Sequence, residues 1–157
     1  MTESLDTTDW SILAELQRDG RLPITELSRR VSLSASATTD RVKRLESLGV
    51  ITGYRAELDL EKAGFPLLAL VRLKYSGNLH QPLHRVLQER QEILECLRTT
   101  GDDCYTVRVA ATSMGHLEEV VDELAQFGST TTSLVYSRTL PYRGPAGPPG
   151  QSGQPSA

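Results

Sequence analysis

The sequence predicts an α+β chain with two folded parts and a tail. Three short segments with the apolar period of amphipathic helices come first, within residues 1–50. Strand-like and helix-like periods then alternate up to residue 142, and a Gly/Pro-rich run ends the chain. We therefore expect an N-terminal three-helix domain over residues 1–50, a linker over 51–65, an α+β domain over 66–142 and a disordered tail over 143–157.

Caps and apolar spacing predict the first two helices. The run from Asp6 to Asp9 supplies a helix cap and first-turn acids, and this helix should end at Asp19 and Gly20. Its apolar stripe consists of Trp10, Ile12, Leu13 and Leu16. Pro23 suits the start of a second helix, because the first turn does not need its missing N–H. The apolar positions of that helix are Ile24, Leu27 and Val31.

The stretch from Val31 to Leu48 predicts a turn and a third helix, with Ser34 as its N-cap. Its core-facing stripe is Thr38, Val42 and Leu45. The opposite face carries short polar groups and then cations: Ser36, Ala37, Asp40, Lys43 and Arg44, with Thr39 on the shoulder. Alone, this pattern also fits an ordinary amphipathic helix with a solvated face, but two preceding helices and a tight turn favour a helix-turn-helix. Ser32 occupies the turn position where glycine is commoner.

A third helix of this kind is typical of proteins that insert it into the major groove of DNA. Its first turn approaches the base edges, so we expect Ser36, Thr39 and Asp40 to read bases. Phosphate contacts are expected from the neighbouring cations, Arg29, Arg30, Arg41, Lys43 and Arg44. A dimer would present two such helices to half-sites of double-stranded DNA one helical turn apart, about 34 Å.

Composition narrows the class of protein. The 157-residue chain has a net charge of −3, so the chain as a whole does not attract polyanions and any DNA contact should be local. Cations outnumber acids between Arg21 and Arg44, whereas acids accumulate later. No apolar run approaches the roughly 20 residues that span a bilayer, so we expect no membrane association and place the chain in the cytoplasm. Cys96 and Cys104 do not form a CxxC pair, which agrees with a reducing compartment.

The second half has the element order β-α-β-β-α-β. We predict strands over 67–75, 93–100, 104–111 and 130–140, and helices over 81–89 and 114–127. This order is that of the ferredoxin-like split βαβ fold, an antiparallel sheet with both helices on one face. The strands carry more alternating apolar residues than one helix layer would cover, which suggests sheet-to-sheet dimerisation; these residues are Val71, Leu73, Val107, Val109, Leu134 and Tyr136.

Two connecting regions lie outside these elements. Gly49 ends the third helix, residues 50–60 should be extended, and residues 61–64 should form a turn or short helix. In the tail, glycine recurs at Gly144, Gly147, Gly150 and Gly153. Four triplets are too few for a collagen triple helix, so we expect this tail to be disordered.

Metal-dependent and nucleophilic catalysis have little support. His80 and His84 have the spacing of a helical metal-binding pair, but Pro82 lies between them and no third ligand is near. Cys104 is better explained as a small buried residue at the start of a strand than as a nucleophile. No GxSxG, P-loop or GxGxxG motif is present. We expect no catalytic site, no metal and no cofactor.

Taken in order, these pieces resemble the Lrp/AsnC family, the feast/famine transcriptional regulators. The resemblance covers residues 5–140 and rests on LDTTDWSILAELQRDGR, LSASATTDRVKRLESLGVITGY, TTGDDCYTVRV and TTTSLVYS. It implies a winged helix-turn-helix, a hinge strand and a ligand-sensing βαββαβ domain of the RAM/AsnC type. It also implies a sequence-specific, non-enzymatic regulator that forms homodimers, and often tetramers or octamers, with a small molecule, usually an amino acid, bound between dimers.

The resemblance also implies where the effector binds. The family's ligand loop falls on Thr100, Gly101, Asp102, Asp103, Cys104 and Tyr105, with Thr130, Thr132 and Ser133 of the last strand nearby. This chain departs from the common Gly-Asp-Tyr-Asp pattern, because Asp103 replaces the aromatic residue and Cys104 replaces the second acid. A loop glycine lets backbone amides approach a ligand carboxylate, and Asp102 or Asp103 would then receive the ligand ammonium. Judged on its residues alone, Gly-Asp-Asp also makes an ordinary hairpin turn.

An enzyme remains as the alternative, because sirohaem decarboxylases share this two-domain architecture. In those enzymes the DNA-binding half is degenerate, and basic and histidine residues handle the tetrapyrrole. This chain keeps a cationic third helix and offers acids where tetrapyrrole carboxylates need cations, so we favour the regulator. A pure oligomerisation module is a third possibility, but it would not need Arg41, Lys43 and Arg44 clustered on one helix.

Overall fold

A computed structural model describes residues 4–75, 77, 81–101 and 104–147. These residues divide into two compact units. The first unit contains the described residues up to Ala56 together with those from Leu140 onwards, and the second contains Glu57–Thr139. Within the described ranges, no helix is long and apolar enough to cross a membrane.

The first unit is built from the three predicted helices, α1 (Thr7–Arg18), α2 (Ile24–Arg30) and α3 (Ala35–Ser47). Helix α1 starts with the expected cap, because the Asp6 carboxylate accepts from the Asp9 N–H and the Asp9 carboxylate accepts from the Asp6 N–H. The apolar stripes of all three helices meet in one core, whose buried members are Ile12, Leu13, Leu22, Leu27, Val42 and Leu45. The predicted helical bundle is therefore confirmed.

The turn between α2 and α3 closes without glycine. Ser32 adopts a left-handed backbone with φ 55°, and its N–H donates to the Arg29 carbonyl while the Leu33 N–H donates to the Ser28 carbonyl. This pair of hydrogen bonds is the Schellman motif, in which the left-handed position is usually glycine. Helix α3 ends in the same motif with Gly49, at φ 68°, in that position.

The structure describes the whole linker, residues 51–65, and none of these residues is in a strand. The expected hinge strand is therefore an extended segment without sheet pairing. It is attached to α3 because the Tyr54 hydroxyl donates to the Glu46 carboxylate at 2.9 Å. Residues 60–64 form the expected turn, with the Phe65 N–H donating to the Leu60 carbonyl.

The second unit follows the predicted β-α-β-β-α-β order. Its elements are β1 (Leu67–Tyr75), α4 (Gln81–Glu89), β2 (Ile93–Arg98), β3 (Tyr105–Ala111), α5 (Met114–Ala125) and β4 (Gly128–Leu134). The strands form an antiparallel sheet in the order β2-β3-β1-β4, which is the expected ferredoxin-like arrangement. The last strand is shorter than predicted, because its sheet pairing ends at Leu134 rather than near Leu140.

The strand residues that suggested sheet-to-sheet packing mostly face the helices. Four of them, Val71, Leu73, Val107 and Val109, are fully buried in one core with residues of α4 and α5: Leu83, Leu117, Val120 and Leu124. Leu134 and Tyr136 are exposed. The other sheet face is largely polar, with Leu70 and Arg72 of β1 beside Thr106, Arg108, Thr131 and Ser133. The helices therefore already cover four of the six residues, because alternation identifies an apolar face but not the layer that covers it. Sheet-to-sheet dimerisation stays a prediction.

Candidate nucleic-acid interface and effector loop

Helix α3 presents a polar face outside the core of the first unit. Its N-terminus is capped as predicted, with the Ser34 hydroxyl accepting from the Ala37 N–H at 3.2 Å. Thr38, Val42 and Leu45 are buried. The exposed residues Ser36, Asp40 and Lys43 follow one another at i, i+4 and i+7, which places them on one side of the helix.

Thr39 lies at the edge of this face and is half-buried. Its hydroxyl donates to the Ala35 carbonyl one turn earlier, at 2.8 Å. With the hydroxyl proton used in that bond, Thr39 can meet a base through its oxygen lone pairs or through its methyl group.

Arg41 and Arg44 are engaged by acids of α1 and its cap. The Asp9 side chain is fully buried, and its two oxygens accept from Arg41 at 2.9 Å and from Arg44 at 2.6 Å. Arg41 also donates to Asp6 at 2.7 Å. Hydrogen bonds to Asp6 and then Asp9 raise the pKa of Arg41, and a hydrogen bond from the Asp9 N–H lowers the pKa of Asp6. This acid–arginine cluster joins α3 to the start of α1.

An open pocket of ≈ 390 Å³ lies over the acid–arginine cluster. It is lined by Ser4, Asp6, Asp9, Asp40, Arg41 and Arg44. Three acids surround the two arginines, so the pocket offers no net positive charge to an anion. The pocket is therefore the solvent-facing side of the ion-pair cluster.

The cations of α2 differ in how firmly they are held. Arg30 donates to Glu15 of α1 at 2.9 Å and to Glu26 at 3.1 Å, and these hydrogen bonds raise the pKa of Arg30. Arg29 donates to Glu26 at 3.2 Å, but its side chain is 77% exposed. Three of the predicted phosphate contacts are exposed, namely Arg29, Arg30 and Lys43. The other two, Arg41 and Arg44, are half-buried.

The predicted effector loop connects β2 to β3. The hairpin is closed by the Thr99 N–H, which donates to the Cys104 carbonyl at 2.9 Å. Thr100 and Gly101 are exposed, and Gly101 has φ 107°, a backbone conformation that favours glycine. Asp102 and Asp103 lie outside the described residues.

Tyr105 anchors the far side of this loop. Its ring is buried and meets the Tyr75 ring edge-on, with centroids 6.1 Å apart. The guanidinium carbon of Arg98 lies 5.9 Å from the centre of the Tyr105 ring. The loop therefore leaves and re-enters the sheet from fixed positions.

The three β4 residues of the predicted site do not share one face. Thr130 and Tyr105 both pair with Leu73 of β1, so they lie in the same row of the sheet. Thr132 lies one row of the same face further along, opposite Val71. Ser133 pairs with Leu70 and lies on the opposite face. The sheet register thus brings Thr130 nearest to the row in which the loop ends.

The described part of the chain places the residues that were weighed for metal or nucleophilic chemistry. Among those residues, no three His, Cys, Asp or Glu side chains are grouped to hold a metal ion. His84 is exposed on α4, and His80 lies outside the described residues. Cys104 is half-buried at the start of β3.

Sequence reasoning did not identify the acids that hold the predicted DNA-binding cations. Glu26 could have been found, because it precedes Arg29 and Arg30 by three and four residues, the spacing of helical ion pairs. Asp9 had no such signal, because 32 residues separate it from Arg41 and only the packing of α1 against α3 brings them together.

Comparison with known proteins agrees with both units. Residues 5–52 match a family model described as winged helix-turn-helix DNA-binding, and residues 68–145 match the Lrp/AsnC ligand binding domain. The HTH-type transcriptional regulator LrpC of Bacillus subtilis is 32% identical over 85% of this chain and 92% of its own length.

Solved structures show the same relationship. The structure of Bacillus subtilis LrpC superposes with a TM-score of 0.82 at 31% identity, covering 86% of this chain and 96% of that one. A Neisseria meningitidis transcriptional regulator, NMB0573, solved as a complex with L-Met, has a TM-score of 0.82 at 30% identity, covering 89% of this chain and 94% of that one. The chain therefore belongs to the Lrp/AsnC family of helix-turn-helix transcriptional regulators.

Proposed function

We propose that this regulator binds double-stranded DNA as a homodimer through the exposed face of α3, and that an amino acid bound near the β2–β3 loop changes this binding. The observation that carries the DNA part is the exposed row of Ser36, Asp40 and Lys43 on a capped helix whose other side is buried. Ser36, Thr39 and Asp40 contact base edges, and Asp40 can accept from a cytosine amine. The protein acts in the cytoplasm, without catalysis and without a cofactor.

The phosphate contacts divide into two kinds. Lys43 and Arg29 extend from the surface and contribute charge directly. Arg30, Arg41 and Arg44 are held by acids, so they orient the helices and contact phosphates with the N–H donors left over from those pairs.

An amino-acid effector is supported by the fold and by the L-Met complex of the Neisseria relative. In this chain the exposed glycine Gly101 gives a ligand carboxylate access to backbone amides, and the hydroxyls of Thr100 and Thr130 are further hydrogen-bonding groups. An amino acid bound between dimers would favour one relative arrangement of the paired helix-turn-helix domains over another. The effector concentration would then change how much of the promoter is occupied.

Lys43→Ala tests the DNA surface. A gel-shift titration against the upstream region of the protein's own gene should show weaker binding to every sequence, with the salt slope reduced by about one. Lys62→Ala is the matched control, because Lys62 is 86% exposed but lies on the turn within the linker, away from α3 in the sequence. A changed base preference in Lys43→Ala would contradict its assignment to phosphate.

Gly101→Ala tests the effector loop. A side chain at φ 107° is strained, so this variant should bind DNA normally but respond less to the amino acid that alters wild-type binding. Gly115→Ala, in α5 with open space around it, should respond like the wild type. Unchanged responses in both variants would remove Gly101 from the site.

The same titration tests the function as a whole. Salt-sensitive, sequence-selective binding that one amino acid alters is the expected result. No selective binding under any condition, with a haem-like absorbance on mixing with a tetrapyrrole, would instead favour the decarboxylase-like enzyme.

A further inference from the structure

The C-terminal strap, residues 140–147, belongs to the same compact unit as the three helices. It runs without regular secondary structure along α1. The Gln17 side-chain amide donates to the Pro145 carbonyl at 3.2 Å. Residues 144–147, near the start of the segment expected to be disordered, thus lie against α1, whereas residues 148–157 lie outside the described part.

Two glycines lie at the contacts between the strap and α1. A Cβ added to Gly144 would lie 1.6 Å from Gln17 Oε1, and one added to Gly147 would lie 3.0 Å from Trp10 Cδ2. Gly147 also has φ 98°, which favours glycine independently of the contact. Between them, Pro145 and Ala146 are exposed, while both glycines are half-buried. Gly144 and Gly147, three residues apart, therefore face the helix.

The spacing of the strap matches the spacing of the helix. Trp10 and Gln17 are seven residues apart on α1, which corresponds to about 10.5 Å along its axis. Three residues of extended chain cover up to about 10 Å. Because Gly144 lies at Gln17 and Gly147 at Trp10, the strap runs antiparallel to α1 with the two contacts in register.

The strap meets α1 at two side chains, the polar Gln17 and the largely apolar indole of Trp10. Its Nε1 is buried and finds no hydrogen-bond partner among the described residues. Here an aromatic ring, Trp10, and a side-chain donor to a proline carbonyl, Gln17, contact the same extended segment. Aromatic-lined surfaces of this kind bind extended Pro-rich chains, because such chains lose little conformational freedom on binding.

We propose that the Trp10–Gln17 face of α1 is a docking surface for a Gly/Pro-rich chain with glycine at every third position, and that its occupant is this chain's own strap. Docking shields Trp10 and makes the strap part of the DNA-binding domain.

Trp10 is the only tryptophan in the sequence, so its emission reports strap docking directly. A chain ending at Arg143 should keep its far-UV circular dichroism but show red-shifted emission and stronger quenching by acrylamide. Gly147→Val should produce the same change in the full-length chain. Ala146→Val adds similar bulk to an exposed position and should leave the emission unchanged. Unaltered emission in the shortened chain, or equal effects of the two valines, would overturn the proposal.

A second experiment distinguishes this chain's strap from that of another copy. The chain ending at Arg143 is unfolded and refolded together with a full-length Trp10→Phe chain, which supplies straps but no tryptophan. Emission and quenching should remain those of the shortened chain. Restored shielding would show that a partner copy provides the strap and would overturn the same-chain assignment.

Discussion

Ser32 and Gly49 adopt the same left-handed backbone conformation, but it is sterically strained only for the serine. Both have positive φ and both close a Schellman motif after a helix. A side chain in the left-handed region costs about 1–2 kcal/mol, whereas glycine avoids that cost but loses more conformational freedom on folding. The turn of the helix-turn-helix therefore contains strain that the end of α3 does not.

Replacing Ser32 with glycine should stabilise the N-terminal unit by up to about 1 kcal/mol, because it removes this strain without removing a described hydrogen bond of the turn backbone. Urea unfolding measures the change. Gly49→Ser is the reciprocal control and should destabilise by a similar amount, since no atom lies within 4 Å of the added Cβ and strain is the main effect. A destabilised Ser32→Gly variant would mean that the serine hydroxyl has a compensating contact.

The packing of α1 against α3 depends on a charged contact as well as on the apolar core. Asp9 is completely buried, yet both of its oxygens are bonded to arginines of α3 and one also accepts from the Asp6 N–H. A buried carboxylate needs such partners, because desolvation without them is costly. Asp9 therefore holds α3 against α1 from a buried position.

Asp9→Asn should destabilise the N-terminal unit by about 1–3 kcal/mol, because it removes the charge that Arg41 and Arg44 share and places an amide donor against them. The value stays below that of a fully buried pair, since both arginines are about one-third exposed. Thermal unfolding monitored by circular dichroism gives the change. Asp40→Asn, on the exposed face, should shift stability by less than about 0.5 kcal/mol. Equal effects of the two variants would show that the cluster contributes little to packing.

Across the whole molecule, each unit contains a carboxylate that should make it sensitive to acid. Hydrogen bonds lower the pKa of Asp6, from the Asp9 N–H first and Arg41 next, and a hydrogen bond from His116 lowers the pKa of Glu92. A pKa that is lower in the folded state stabilises folding above the unfolded pKa, and this stabilisation is lost as the pH falls through the folded value.

Both units should therefore lose stability below about pH 4, near the ordinary pKa of carboxylic acids. The measurement is the thermal unfolding midpoint at pH 7 and at successively lower pH. Asp6→Asn retains a good helix cap and Glu92→Gln retains a hydrogen-bonding amide, so each should reduce the acid-induced shift of its own unit. An unchanged shift in both variants would assign the acid sensitivity to other groups.

The sequence by itself determined the helices and strands, and which of their faces are apolar, polar or cationic. Helical periods marked α1 to α3, strand and helix periods marked the βαββαβ order, and Ser34 identified the start of α3. These features are local, because a helix or strand displays its buried side every few residues along the chain. The Lrp/AsnC resemblance came from several such stretches in a fixed order.

Only the tertiary structure decided which partners those side chains meet. It placed Val71 and Val107 under the helices, joined Asp9 to arginines more than 30 residues away, and laid Gly144 and Gly147 against α1. A local pattern reports that a face is apolar or cationic, but it contains no information about the distant chain that covers or neutralises it. Those pairings depend on how the elements pack together, because packing brings into contact residues that no sequence spacing relates.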